Sequence, residues 1–151
     1  MTDHERRFNP VPRRILVPID GDPPSEGAFA QAASLAEALD AELVLLGVES
    51  PPLVEAFAMA AAVPAAEAVD EMTREHVRNA RDRLPAGVRS RSIFGSTPEG
   101  ASIVDAADAE AADLVVVAMR RGGELSHLLR DGEDRYVLHH CPVPVLVVPE
   151  A

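Results

Sequence analysis

The chain has no tryptophan, one tyrosine and four phenylalanines, so aromatic residues make up only 3% of its 151 positions. A core must therefore be assembled from Ala, Val, Leu and Ile, which suits close helix–sheet packing better than ring stacking. It has a single cysteine, Cys141. That excludes an internal disulfide and fits a reducing compartment. Cys141 adjoins an apolar run and reads as a small buried apolar residue. No apolar run approaches the ~20 residues of a membrane span. Met1 to Arg7 is charged and lacks the apolar stretch of a secretory signal. Bases are also scarce: 14 against 25 acids, for a formal net charge of -11. Nucleic acid, whose binding rests on Lys and Arg contacts to phosphate, is the partner class this disfavours. Arg78, Arg81, Arg83, Arg89 and Arg91 cluster in sequence and read as a solvated face.

What is present is 47% hydrophobic and long enough to bury a proper core in one domain. Met1 to Pro12 is polar with no periodicity and reads as a disordered tail, 1–12, ahead of a single domain over 13–151. Short apolar runs then alternate with helical patterns. Arg14 to Asp20 is the first strand, Gly21 to Ser25 a turn, with Asp22 or Ser25 as cap of the helix that follows. Ala28, Ala32, Leu35 and Leu39 give that helix its buried stripe. Leu43 to Val48 is a second strand. Ser50 to Ala66 is Ala-rich with no clear period and reads as packed helix or loop, with a lid or partner surface as the less favoured reading. Ala65 to Leu84 is a long helix with a stripe of Ala65, Val69, Met72, His76 and Ala80, in which His76 is a boundary residue. Val88 to Phe94 is a third strand, and Arg89 and Arg91 place it at an edge. Thr97 and Pro98 start a helix that turns Ala101, Val104, Ala107 and Ala111 inward. Leu114 to Val117 and Pro142 to Val148 are the last two strands, with helical turns at Leu125 to Leu129 and Arg135 to His140 between them. The alternation predicts an α/β fold, a five-stranded parallel sheet with helices on both faces.

The runs Asp113-Leu114-Val115-Val116-Val117, Leu125-Ser126-His127-Leu128-Leu129, Val137-Leu138-His139-His140 and Pro142 to Val148 resemble the C-terminal half of the universal stress protein family. Ile15-Leu16-Val17-Pro18-Ile19-Asp20-Gly21 resembles its first strand, and Leu43 to Val48 and Gly95 to Glu99 extend the likeness over nearly everything after residue 12. The resemblance implies a doubly wound, Rossmann-like sheet in the order 3-2-1-4-5, a cytoplasmic location, a role in stress response and a homodimer. Nucleotide-binding members of the family carry Gly, two residues, Gly, nine residues, Gly, then Ser or Thr. Those positions fall here on Ala118, Arg121, Asp131 and Gly132, and all four depart from the pattern.

A triphosphate cradle needs backbone N–H groups in close approach, which glycine permits. Arg121 adds bulk. Asp131 adds a charge whose repulsion of phosphate at ~4 Å and an effective dielectric of ~20 is about 4 kcal/mol. Gly132 lacks the hydroxyl. Arg120, Arg121 and Arg130 replacing amides with side-chain charge, helped by Gly122-Gly123, is the second-ranked alternative. The departures place the chain nearer the branch that does not bind ATP tightly: a regulatory or interaction protein with an unidentified protein partner and no cofactor. The competing reading is an ATP- or AMP-binding switch, with weak binding through Pro18, Asp20, Val48, Val117, Ala118, Arg121, Gly132 and Glu133. Asp20 serves equally as a turn-forming aspartate before Gly21.

Catalytic constellations are absent from the sequence. No Gly-x-Ser-x-Gly elbow and no Walker-type loop occurs, and Ser126-His127 adjacency does not place a base on a nucleophile. His139-His140 lack spaced companions for a metal. The reading is of a non-enzyme, with slow nucleotide hydrolysis ranked third. For the homodimer, Pro142 and Pro144 lack donors on one edge of the last strand. That edge is expected to face outward, with Pro144, Leu146 and Val148 at the interface.

Overall fold

The computed structural model describes residues 11–21, 23–49, 65–96, 99–119 and 133–149. The elements are β1 (Arg14–Ile19), α1 (Pro23–Leu39), β2 (Glu42–Gly47), α2 (Ala65–Asp82), β3 (Ser90–Phe94), α3 (Glu99–Ala109), β4 (Leu114–Met119), α4 (Glu133–His140) and β5 (Val145–Pro149). All strand pairings are parallel, in the order β3-β2-β1-β4-β5. This is the expected doubly wound sheet. β1, β2 and β4 are continuous apolar runs because both their faces are covered. On one face Ile15, Val17, Leu43, Leu45 and Val116 pack against Ala28, Ala32 and Ala36 of α1 and Val77 and Ala80 of α2. On the other, Leu16, Val44, Leu46, Val115 and Val117 pack against Ile103 and Ala107 of α3 and Val137 of α4. Alanine-lined helices sit close to the sheet, which is how a chain so poor in aromatics closes its core.

Local expectations need correcting in three places. Pro23 belongs to the helix and not to the turn before it: α1 begins at Pro23, since proline is preorganised for a first helical turn and has no N–H to satisfy there. Ser25 is therefore inside the first turn, and its hydroxyl donates to Asp20 Oδ1 at 2.6 Å instead of capping. In α3 the buried residues are Glu99, Gly100, Ile103 and Ala107, with Ala101 and Val104 half-buried, and the helix stops at Ala109 before Ala111 turns left-handed at φ 53°. The third correction concerns β5, which starts at Val145, three residues later than read. The readings of a tail (its first ten residues), the 50–64 stretch, Asp22, Thr97-Pro98 and Leu125 to Leu129 lie outside the described residues.

The β5 difference reverses an edge. Val115 N–H donates to Pro144 C=O at 3.0 Å, so Pro144 addresses β4. In a strand the N–H and C=O of one residue point to the same edge and alternate from residue to residue. Leu146 and Val148 therefore also address β4 with their backbones, and Val145 and Val147 hold the outer edge. The expectation that the backbones of Pro144, Leu146 and Val148 face outward is corrected accordingly. The Leu146 side chain, on a face and not an edge, is 37% exposed.

Candidate functional site

The same alternation orders the strands at the carboxyl end of the sheet. Arg14 C=O accepts from Asp113 N–H on β4's side at 2.8 Å, and Arg13 C=O accepts from Glu42 N–H on β2's side at 2.9 Å. Even-numbered residues of β1 thus face β4, and odd-numbered ones face β2, as the 3.0 Å bond from Val48 N–H to Ile19 C=O continues to show. Pro18 falls on the β4 side, where its missing N–H removes a rung. The β1–β4 register runs through Ile15↔Leu114 and Leu16↔Val115, whereas β1–β2 continues to Ile19↔Gly47. The β1–β4 pairing ends short of the end of β1, at the topological switch point where open α/β sheets bind ligands.

Five predicted residues gather at this end: Pro18 from β1 and Asp20 just after it, Val48 after β2, and Val117 and Ala118 near the end of β4. Asp20 is 1% exposed and Ser25 5%, joined by the 2.6 Å bond. That hydrogen bond from the first turn of α1 fixes the carboxylate at the carboxyl end of β1. Val117 faces α3 and Ala118 faces α1. The methyl of Ala118, the first departure from the glycine pattern, is absorbed by the core on the α1 side. Glu133 opens α4. Arg121, Asp131 and Gly132 lie outside the described residues, as do Arg120 and Arg130.

Sequence reasoning missed the contact that shapes the turn. Gly21 has φ 79°, and a Cβ there would collide with the imidazole of His76, which lies against it from α2. Gly21 is required twice, by its left-handed backbone and by the ring above it. His76 Nδ1 is buried and has no hydrogen-bond partner among the described residues. Nothing in a sequence separation of that size signals such a contact. His140 is engaged elsewhere, stacked on Tyr136 with ring centroids 4.1 Å apart. Among the described residues no group of His, Cys, Asp or Glu could hold a metal ion, and no helix is long and apolar enough to cross a membrane.

A doubly wound parallel sheet in the order β3-β2-β1-β4-β5 defines the class: an α/β domain of the Rossmann-like kind. The model of the universal stress protein family matches residues 12–149, and the chain belongs to that family. Among curated proteins none matches it significantly. Solved structures share its fold. A protein of this family from Burkholderia pseudomallei is 23% identical with a TM-score of 0.64, over 91% of this chain and 96% of that one. A universal stress protein in complex with cAMP is 20% identical with a TM-score of 0.58, over 93% and 99%. One from Archaeoglobus fulgidus in complex with dAMP is 15% identical with a TM-score of 0.55, over 91% and 98%.

Proposed function

We propose that this universal stress protein is a cytoplasmic regulatory or interaction protein of the branch that does not hold ATP tightly, and that it performs no catalysis. The observation that carries the reading is the pair Arg121 and Asp131 at positions where nucleotide-binding members have glycine. A side chain at one and a negative charge at the other oppose a cradle of backbone amides around a triphosphate. Calorimetry with Mg-ATP tests it. No binding tighter than about 10 μM, equivalent to about -7 kcal/mol, is expected. The variant Arg121→Gly, Asp131→Gly, Gly132→Ser should gain affinity. Tight binding by the parent overturns the proposal, and no gain in the variant overturns its steric and charge account.

A second reading has a specific observation in its favour. Asp20 is buried at the switch point and held by Ser25, and two relatives of the same fold carry cAMP and dAMP. Those ligands have one phosphate, so the missing triphosphate cradle weighs less against them. A mononucleotide would place its base or ribose against Asp20, Pro18 and Val48. AMP and cAMP in the same calorimeter distinguish the readings, as does absorbance near 260 nm of the denatured supernatant, which a chain with no Trp and one Tyr does not mask.

In this proposal the protein acts as a homodimer joined along β5, an apolar edge strand that a two-fold copy would cover. The outer backbone groups available for that pairing are those of Val145 and Val147.

A further inference from the structure

A cavity of about 500 Å³ opens between α1 and α2. Among its described lining residues are none of Pro18, Asp20, Val48, Val117 and Ala118. Its apolar floor is Ile19 and Phe29, 5% and 6% exposed. Its walls include the imidazole of His76, the pair Glu26–Arg83, and Asp82 at the end of α2. Pockets of this volume with an apolar floor and a few polar groups are the usual form of small-ligand sites.

The charges on the rim select the ligand. Arg83 donates two hydrogen bonds to Glu26, at 2.7 and 3.1 Å, and its guanidinium lies over the Phe29 ring, 5.0 Å from the centroid. The hydrogen bonds from Arg83 to Glu26 raise its pKa against a smaller lowering by desolvation. The two charges therefore neutralise each other and close one wall. Asp82 is left, its side chain 73% exposed and its nearest described cation Arg81 at 4.0 Å, the outer limit of an ion pair. The surplus charge at the mouth is negative, in a chain whose net charge is -11. An anion such as a nucleotide phosphate is repelled. A cation is attracted, and the floor, with the flat imidazole beside it, suits an apolar ring.

We propose that this cavity is a second binding site, for a small aromatic amine whose ring sits over Ile19 and beside His76 and whose ammonium reaches Asp82. The test is a pair of probes of similar size and opposite charge. Amide correlation spectra of the full chain are titrated with 2-phenylethylamine and with phenylacetate. The amine is expected to give saturable shifts centred on Gly21, Ser25, His76 and Asn79, and phenylacetate none that saturate over the same range. Asp82→Asn, at an exposed position that should leave the melting curve unchanged, is expected to weaken the amine about three-fold, the scale of an exposed ion pair. Adding salt should weaken it similarly in the parent and not in the variant. Shifts centred elsewhere, equal binding of the two probes, or an Asp82→Asn variant that binds as the parent does would each overturn the assignment.

Discussion

Substituting Gly21 by alanine separates two constraints that the structure imposes on one residue. The first is conformational: φ is 79°, a backbone that costs an L-residue about 1 kcal/mol. The second is steric, because the new methyl would enter the volume held by the His76 ring, and overpacking of this kind costs roughly 1–3 kcal/mol. Gly21→Ala should therefore destabilise by about 3 kcal/mol, and at 2–4 °C per kcal/mol for this size lower Tm by roughly 6–12 °C. Placed on a His76→Ala background, the same substitution meets no ring, and only the backbone cost of about 1 kcal/mol should remain. Urea unfolding followed by circular dichroism at 222 nm reads all four proteins of the cycle, since tryptophan fluorescence is not available. The coupling energy should be about 2 kcal/mol. An equal cost in both backgrounds would refute the packing of His76 on Gly21. A cost below about 0.5 kcal/mol would refute the left-handed turn as well.

Three further outcomes are expected. Ile103→Ala, at a fully buried position against the second sheet face, should cost about 3 kcal/mol in urea unfolding; a surface-like cost below 1 kcal/mol would contradict the assigned face of α3. Cys141 is half-buried, and desolvation raises its thiol against a smaller lowering by a backbone hydrogen bond involving Val143. A folded value above the unfolded one means that its contribution to stability is intact below the unfolded thiol value of about 8.5 and lost as pH rises through the folded value. Cys141→Ser should flatten that alkaline decline, and an unchanged pH profile would count against it. Val147→Pro removes an N–H from the outer edge of β5 and spares the β4 ladder, so light scattering should show a folded monomer in place of the proposed dimer. A monomeric parent at micromolar concentration, or a dimeric variant, would exclude pairing at that edge.

The sheet was legible because β1, β2 and β4 are buried on both faces, which leaves uninterrupted apolar runs that no surface helix of this composition produces. α3 was harder. From Ala101 to Ala107 nearly every residue is small or apolar, so several stripes at helical spacing fit equally well. Only packing against Leu46 and Val115 chooses the one through Ile103. His76 was placed at the boundary of its stripe, and it is half-buried. The reason it is there, a turn fifty-five positions earlier, is a tertiary fact with no local signature.

Proline at the strand ends shows where sequence reasoning lacks one bit of information. A proline in a strand announces a missing donor, but the edge it affects depends on which residues bond to which neighbour, and parity alone does not say. Sequence alone puts Pro144 on the outer edge of β5. The bond from Val115 N–H to its carbonyl puts it on the β4 side, and there it costs nothing, because the strand begins one residue later and no rung was due at its nitrogen. Pro18 also turns its missing N–H toward β4, but within β1, at the carboxyl end of the sheet, where a rung would otherwise have formed. β4 is thus met by a proline on each flank, at opposite ends. The one at the amino end precedes the first residue of β5, and the one at the carboxyl end removes a rung from the β1–β4 ladder two residues before Asp20.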